Sequence, residues 1–144
     1  MAQVYSNETT GIDSQPVVKP GASSGYGARL KRFRATYTLA AQPAGAGNEL
    51  IVCDLPAGYL FAFALVCPGV SLGSSTIALG NASNAAAYAA AATYTATTPT
   101  LTGSAAAEGA PALAASTRIL GTIAAAALPA SGTLVIDVYA SLPN

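Results

Sequence analysis

Hydrophobic and polar residues alternate with a period of two along much of the chain after residue 32. In the stretch FRATYTLA, Phe33 and Tyr37 fall on one side of an extended chain, whereas Arg34 and Thr36 fall on the other. The same alternation returns near the C-terminus in TLVIDVYAS. This period is that of a β-strand with one buried face, and it predicts that the first strand begins at Phe33.

Two apolar segments lie on either side of the turn PAGY. The first, ELIVCDL, is apolar at most positions, so we expect a strand that is buried on both faces. The second, LFAFALVC, is a strand that follows this tight turn, and if residues 50–67 form a hairpin turning at 56–58, Cys53 lies opposite about Leu60 rather than Cys67. In the second strand the larger and smaller side chains separate onto opposite faces, with Phe61, Phe63 and Leu65 on one and Ala62 and Ala64 on the other.

The central third of the chain is rich in alanine and threonine. STIALG predicts a strand, and NASN predicts a loop. The following AAAYAAAATYTATT is ambiguous, because alanine favours helices whereas β-branched threonine favours strands. With no N-cap or charge pair to support a helix, we expect a strand over about 88–96, preceded by a helical turn.

The last third of the chain is expected to complete the sheet pattern. Residues 100–116 predict a long loop of small residues, and TRILGTIAAAAL and TLVIDVYAS predict two strands. About seven short strands without an amphipathic helix indicate an all-β fold, an antiparallel β-sandwich or jelly roll. We expect this domain to span residues 29–144. Residues 1–28 carry Pro16, Pro20 and several glycines without a sustained period, and they predict an extended N-terminal arm.

Charge is scarce throughout this chain. Charged residues make up 8% of the 144 residues, the formal net charge is zero, and none lies between Asp54 and Glu108. Soluble domains typically carry about 25% charged residues, and near-neutral surfaces tend to associate. The composition therefore predicts a subunit of an assembly, in which small side chains permit close approach of neighbouring protein.

No catalytic or metal-binding arrangement is apparent in the sequence. GASSG at 21–25 matches the nucleophile-elbow pattern, but the chain has no histidine to act as a base. Glu49 and Asp54 would face opposite sides of one strand, and two separated cysteines do not form a metal motif. We expect a protein that is not an enzyme and that binds no cofactor.

The sequence predicts neither a disulfide nor a membrane span. Cys53 and Cys67 both lie in apolar runs, and we expect two buried, reduced thiols. The N-terminal residues have no secretory pattern, and the apolar run 59–67 is about half the length that a membrane span requires. We therefore expect no membrane partner.

Four of the six basic residues cluster in the stretch RLKRFR, as Arg29, Lys31, Arg32 and Arg34. Two interpretations fit this cluster: it binds an acidic partner surface, or it is the solvated edge of a sheet, blunted by charge. Nucleic acid is not expected as a partner, because the net charge of the chain is zero.

Three stretches carry a resemblance to a known family: DLPAGYLFAFALV, SLGSSTIALGNASNAAAYAAAATYTATTPTL and RILGTIAAAALPASGTLVIDVYAS. Over about residues 30–142 the sequence resembles the cement, or head-decoration, proteins of tailed bacteriophages of the short-tailed type. The resemblance implies a jelly roll that binds the outside of a capsid shell and staples neighbouring capsomers. Its implied partners are the major capsid protein and further copies of itself, as a dimer or trimer. The implied location is the virion exterior, after synthesis in the host cytoplasm.

One alternative to the cement function stays open. A β-sandwich module of a phage tail or fibre that binds host-surface glycans would have a similar strand pattern. For either function, an arm that cannot bury its own apolar residues needs contacts from a neighbouring chain. We expect the arm to provide Val4, Tyr5, Ile12, Val17 and Val18 as partner contacts, with the basic cluster at its root.

Overall fold

A computed structural model describes residues 29–41, 45–107 and 111–142, and these residues form almost entirely β-structure. The described part contains eight strands, a 3₁₀ turn at Leu39–Ala41 and one short helix. The strands are β1 (Arg29–Thr38), β2 (Glu49–Leu55), β3 (Leu60–Pro68), β4 (Thr76–Asn81), β5 (Asn84–Thr93), β6 (Thr100–Thr102), β7 (Thr117–Ala124) and β8 (Thr133–Leu142), and the helix is α1 (Ser104–Ala107). The all-β expectation is confirmed.

The strands form two antiparallel four-stranded sheets. The first sheet has the order β1-β8-β3-β6, and the second has the order β2-β7-β4-β5. Strands pair from the outside of the sequence inwards, β1 with β8, β2 with β7, β3 with β6 and β4 with β5, as in a long hairpin rolled around a core. The β3–β8 and β4–β7 pairs then complete each sheet. This topology is the eight-stranded jelly roll, so the sequence-based prediction of a jelly roll is confirmed.

The core lies between the two sheets and is built from alternate residues of the strands. In β8, Leu134, Ile136 and Val138 are fully buried, as the period of two predicts. They pack with buried residues of the other sheet, among them Ile77, Ile119 and Ile123. The Tyr37 hydroxyl donates a 2.6 Å hydrogen bond to the Ile51 carbonyl and so links the first sheet to the second.

β2 and β3 do not form the hairpin considered from the sequence. The turn at 56–59 carries the chain from the second sheet to the first, and β2 pairs instead with β7, where Cys53 lies opposite Ile119. The turn residues allow both a hairpin and a crossing between sheets, and only the long-range pairing distinguishes the two. The expectation that β2 is buried on both faces is also wrong. β2 is an edge strand, and its residue Ile51 is 59% exposed.

The separation of large and small side chains along β3 differs from the expectation. The β3–β8 register shifts between Phe61 and Phe63, which indicates a β-bulge. After the shift, Ala64 and Val66 continue the buried row that Phe61 begins, whereas Phe63 is only half-buried. A strict period of two misplaces every residue beyond a bulge, because one extra residue reverses the faces.

The alanine-rich segment is a strand, as expected, but it begins earlier. β5 runs from Asn84 to Thr93, and no helical turn precedes it within the described residues. The turn before it depends on Asn81, whose side-chain oxygen accepts hydrogen bonds from the backbone N–H groups of Ser83 and Asn84 at 3.0 and 2.9 Å. Pairing with β4 outweighs the helix propensity of alanine, since propensity is a weak preference compared with tertiary contacts.

The segment expected to be a long loop contains two short elements. β6 pairs with β3, and α1 packs against β3 and β5. Gly103 joins them in a left-handed conformation, with φ of 78°. A Cβ at this position would lie within about 3 Å of the Phe61 ring and the Tyr88 carbonyl, so both conformation and space require glycine.

The cysteines are both free in the structure, as predicted, but each is half-buried rather than fully buried. Burial, together with the negative charge of Asp54, raises the pKa of Cys53 to about 12. Burial also raises the pKa of Cys67, with a smaller contribution from Asp137. Both thiols therefore stay protonated near neutral pH.

We expect the Cys53 thiol of a C67S variant to react with iodoacetamide at pH 8 at least roughly a hundredfold more slowly than an ordinary thiol, because the thiolate is the reactive form. The denatured variant should react at the ordinary rate. Mass spectrometry of timed aliquots measures both rates. Equal rates in the native and denatured protein would contradict the burial of Cys53.

The turn after β7 contains a strained residue. Ala125 has a φ of 63°, and the Ala126 N–H donates to the Ala124 carbonyl at 2.8 Å, which closes a three-residue γ-turn. Left-handed backbone costs an L-residue about 1–2 kcal/mol, whereas glycine adopts it without a Cβ clash.

We therefore expect A125G to raise the free energy of unfolding by roughly 0.5–1 kcal/mol, since the relief of strain exceeds the added entropy of the unfolded chain. Chemical denaturation measures the difference. The matched control is A126G, at the next position, where φ is not positive and the same change should destabilise the protein. An A125G variant that is less stable than the parent would show that the turn is not strained.

Candidate partner-binding surface

The basic cluster lies on β1 itself, at one edge of the first sheet. The strand begins at Arg29 rather than at Phe33, because β8 supplies ladder partners along its whole length, from Leu142 opposite Arg29 to Thr133 opposite Thr38. The expectation of a first strand from Phe33 is wrong for this reason. Basic side chains occupy both faces of residues 29–32, so the period of two is absent from the sequence there.

The cations of β1 divide between two faces. Arg32 and Arg34 lie on the outer face of the first sheet, beside Tyr139 and Asp137 of β8. Lys31 lies on the opposite face, where its ammonium nitrogen is 5.5 Å from the centre of the Tyr59 ring. Phe33 meets the same ring edge-on at 6.0 Å. Tyr59 therefore positions Lys31 through a cation–π contact and Phe33 through aromatic packing.

Arg34 of β1 and Asp137 of β8 form a bidentate ion pair. Arg34 Nε donates to Asp137 Oδ1 at 2.8 Å, and Nη2 donates to Oδ2 at 2.7 Å. The Asp137 side chain is 4% exposed, whereas that of Arg34 is 51% exposed. These hydrogen bonds hold the pKa of Asp137 below its usual value, although burial acts in the opposite direction. Among the basic residues of β1, Arg34 therefore has a structural role.

Apolar residues occupy the outer face next to this ion pair. The rings of Phe63 and Tyr139 stack with their centres 4.7 Å apart. Leu101 of β6 lies opposite Leu65 and is 55% exposed. Sequence reasoning missed Phe63 as a surface residue, because the bulge that turns it outwards has no signal in the local pattern.

The structure describes only some of the residues that were expected to contact a partner. Arg29, Lys31, Arg32 and Arg34 are brought together on one strand, and Arg34 alone has a carboxylate partner among the described residues. The expected contacts Val4, Tyr5, Ile12, Val17 and Val18, together with the whole arm 1–28, lie outside the described residues.

A second polar feature lies at the second sheet. A shallow cleft of about 330 Å³ is lined by Asn81, Ala82, Ser83, Ser116, Thr117 and Arg118. Arg118 donates to both carboxylate oxygens of Asp54, at 2.7 and 3.0 Å, and both side chains are more than half exposed. No aromatic ring lines this cleft, so it lacks the stacking surface that glycan-binding sites usually have.

The described residues contain neither a metal-binding cluster nor a membrane-spanning helix. Across 29–41, 45–107 and 111–142, no group of three or more Cys, Asp or Glu side chains could hold a metal ion. No helix in those ranges is long and apolar enough to cross a membrane.

The fold is shared with chains from three phage capsids. A chain of the cyanophage Pam1 capsid asymmetric unit matches with a TM-score of 0.59 and 18% identity, covering 91% of this chain and 97% of its own. A chain of the Ralstonia phage GP4 capsid matches with a TM-score of 0.61 and 15% identity, over 83% and 86% of the two chains. A chain of the acid-stable capsid of the Helicobacter pylori bacteriophage KHP30 matches with a TM-score of 0.56 and 12% identity, over 80% and 89%.

These similarities define the class of fold. This protein is a jelly roll of a form found in phage capsids, and the matches span most of each capsid chain. At these levels of identity the likeness concerns the fold. No family model matches the sequence, and no curated protein matches it either.

We expect R34M to lower the free energy of unfolding at pH 7 by roughly 2–3 kcal/mol, because it leaves the Asp137 carboxylate buried without a cation. In the parent, a lowered Asp137 pKa contributes stability that is present above the unfolded pKa and lost as pH falls through the folded pKa. In R34M, burial of Asp137 is no longer opposed by Arg34, so its pKa rises. The difference between the two proteins should therefore shrink towards pH 4.

Denaturant unfolding at pH 7 and pH 4 measures this difference. The matched control is R118M, which removes an exposed bidentate pair and should change the free energy of unfolding little at either pH. Equal losses in R34M and R118M, without dependence on pH, would contradict a structural role for the Arg34–Asp137 pair.

Proposed function

We propose that this protein is a structural component of a phage virion, which binds the outside of the capsid shell and staples neighbouring capsomers. The observation that carries the proposal is the jelly roll itself, which chains from three phage capsids share over most of their length. The cement-protein resemblance of the sequence supports the same function from independent features, its turn and strand motifs. The shell contact would be made by the major capsid protein.

The charge distribution supports attachment to a shell. Because the protein has few charged groups, electrostatic repulsion from neighbouring proteins is weak. Modest contacts in each copy are then enough for attachment, since many copies bind one particle. The basic strand β1 gives the protein one side that attracts carboxylates. In this proposal the arm 1–28 extends from that side and contacts the shell through Val4, Tyr5, Ile12, Val17 and Val18.

Self-association belongs to the same proposal. The apolar side chains of Phe63, Tyr139 and Leu101 on the outer face suit contact between copies, as a dimer or trimer on the virion exterior. The protein would be made in the host cytoplasm and then join the assembled shell. The glycan-binding alternative gains no support from the cleft at Arg118, because no aromatic ring lines that cleft.

Co-sedimentation with shells assembled from the major capsid protein of the same particle tests the function. We expect the full chain to sediment with these shells to a saturating copy number, and to be found on heads rather than tails by electron microscopy. A chain that lacks residues 2–28 should bind at least roughly tenfold more weakly, because it loses the apolar contacts of the arm. Failure of the full chain to bind shells, or its location on tails, would refute the proposal.

Neutralising β1 should also weaken attachment and reduce its dependence on salt. The variant R29Q/K31Q/R32Q keeps Arg34, which Asp137 requires, and removes three cations that have no carboxylate partner among the described residues. Between 50 and 500 mM salt we expect parent binding to fall severalfold and variant binding to change little, because salt screens exposed charges. The control R118Q removes one cation outside β1 and should keep the salt response of the parent.

A further inference from the structure

β1 differs from the other three sheet edges of the described fold. The edges are β1 and β6 in the first sheet, and β2 and β5 in the second. β6 has three residues, β2 has a register shift between Ile51 and Cys53, and β5 has two register shifts against β4. Short strands and bulges make an edge unfit for pairing. β1 instead has ten consecutive ladder pairs with β8 and no shift.

The alternation of hydrogen bonds shows which backbone groups of β1 point outwards. The Leu39 N–H donates to the Gly132 carbonyl at 3.0 Å, which continues the β1–β8 ladder by one pair. Hydrogen-bonded and non-hydrogen-bonded pairs alternate in an antiparallel ladder. The odd-numbered residues of β1 therefore bond to β8, and the even-numbered residues, 30 to 38, direct their N–H and C=O groups to the open edge. No described strand pairs with that edge.

The open edge is divided by charge. Arg29, Lys31 and Arg32 occupy its first half and have no carboxylate partner among the described residues. The Arg34 charge is matched by Asp137, and the second half, from Ala35 to Thr38, carries no charge. A strand that completes this edge would need acidic residues beside 29–32 and small, uncharged, β-branched residues beside 35–38.

We propose that the open edge of β1 binds an extended segment of the capsid shell protein as an added β-strand, with the acidic half of that segment beside residues 29–32. Main-chain hydrogen bonds to residues 30–38 give affinity, and the divided charge sets the register. The identity of the partner rests on the proposed function, whereas the strand addition rests on β1 itself. A basic edge that only prevents aggregation would attract the same charges but would not form these main-chain bonds.

Two ten-residue peptides serve as probes for the full chain, by fluorescence anisotropy. One has five glutamates followed by five residues that alternate threonine and valine, and the other has the reverse order. We expect one order to bind, which gives the direction of the added strand. N-methylation of alternate amides in that peptide should weaken binding at least about tenfold for the set that faces β1, and less than about twofold for the other set.

A matched pair of variants tests the same bonds from the protein. T36P removes an N–H that points to the open edge and leaves every β1–β8 bond intact, whereas T36A removes the side chain and keeps the N–H. We expect T36P to weaken peptide binding and shell co-sedimentation at least about tenfold, and T36A to match the parent within about twofold. Circular dichroism checks that T36P folds. If it does not fold, the N-methylated peptides on the parent decide the question.

The results that would overturn strand addition differ from those that would overturn the proposed virion function. Binding that ignores both N-methylated sets, no binding of either peptide, or tighter binding of a ten-nucleotide oligothymidylate would each overturn strand addition. If the full chain still sediments with shells in those cases, the virion function stands without it. If a peptide adds as a strand but shells do not bind, the shell protein is the wrong partner.

Discussion

Strand β8 is the element on which both the core and the surface of this protein depend. It lies inside the first sheet, where it pairs with β1 on one side and β3 on the other. Its inward row, Leu134, Ile136 and Val138, is fully buried, while its outward row carries Asp137 and Tyr139. One sequence of ten residues thus supplies the centre of the core, the partner of Arg34 and half of the stacked aromatic pair.

A buried carboxylate stands out in a protein with so few charges, and here it is paired with Arg34. Asp137 lies between β1 and β3, where a neutral residue of similar size would pack without needing a cation. Its ion pair adds little net stability over an apolar pair, since desolvation offsets much of the attraction. The pair holds Arg34 on the outer face, whereas Arg29, Lys31 and Arg32 have no carboxylate partner among the described residues.

The parts of the fold that sequence reasoning predicted are those governed by local periodicity. The alternation in β8 and in Phe33, Ala35 and Tyr37 of β1 reports which side chains face the core, and the class of fold follows from the number and spacing of such strands. The failures concern long-range information. The crossing at 56–59 and the bulge after Phe61 depend on which strand lies alongside, which no local pattern contains. Arg34 could not be identified as the partner of Asp137 for the same reason, since the two residues are separated by 103 positions in the sequence.

Scarcity of charge also determines how this protein can approach a partner. A protein with many dispersed charges presents a similar potential from several directions, whereas here Arg29, Lys31, Arg32 and Arg34 stand on one strand at one edge. At the second sheet, Arg118 pairs with Asp54, and Glu49 adds one negative charge. The attraction to an acidic surface is therefore directional, and it brings the β1 edge to that surface first. The same edge has the regular backbone that can form a strand pair, so orientation and recognition act at one place.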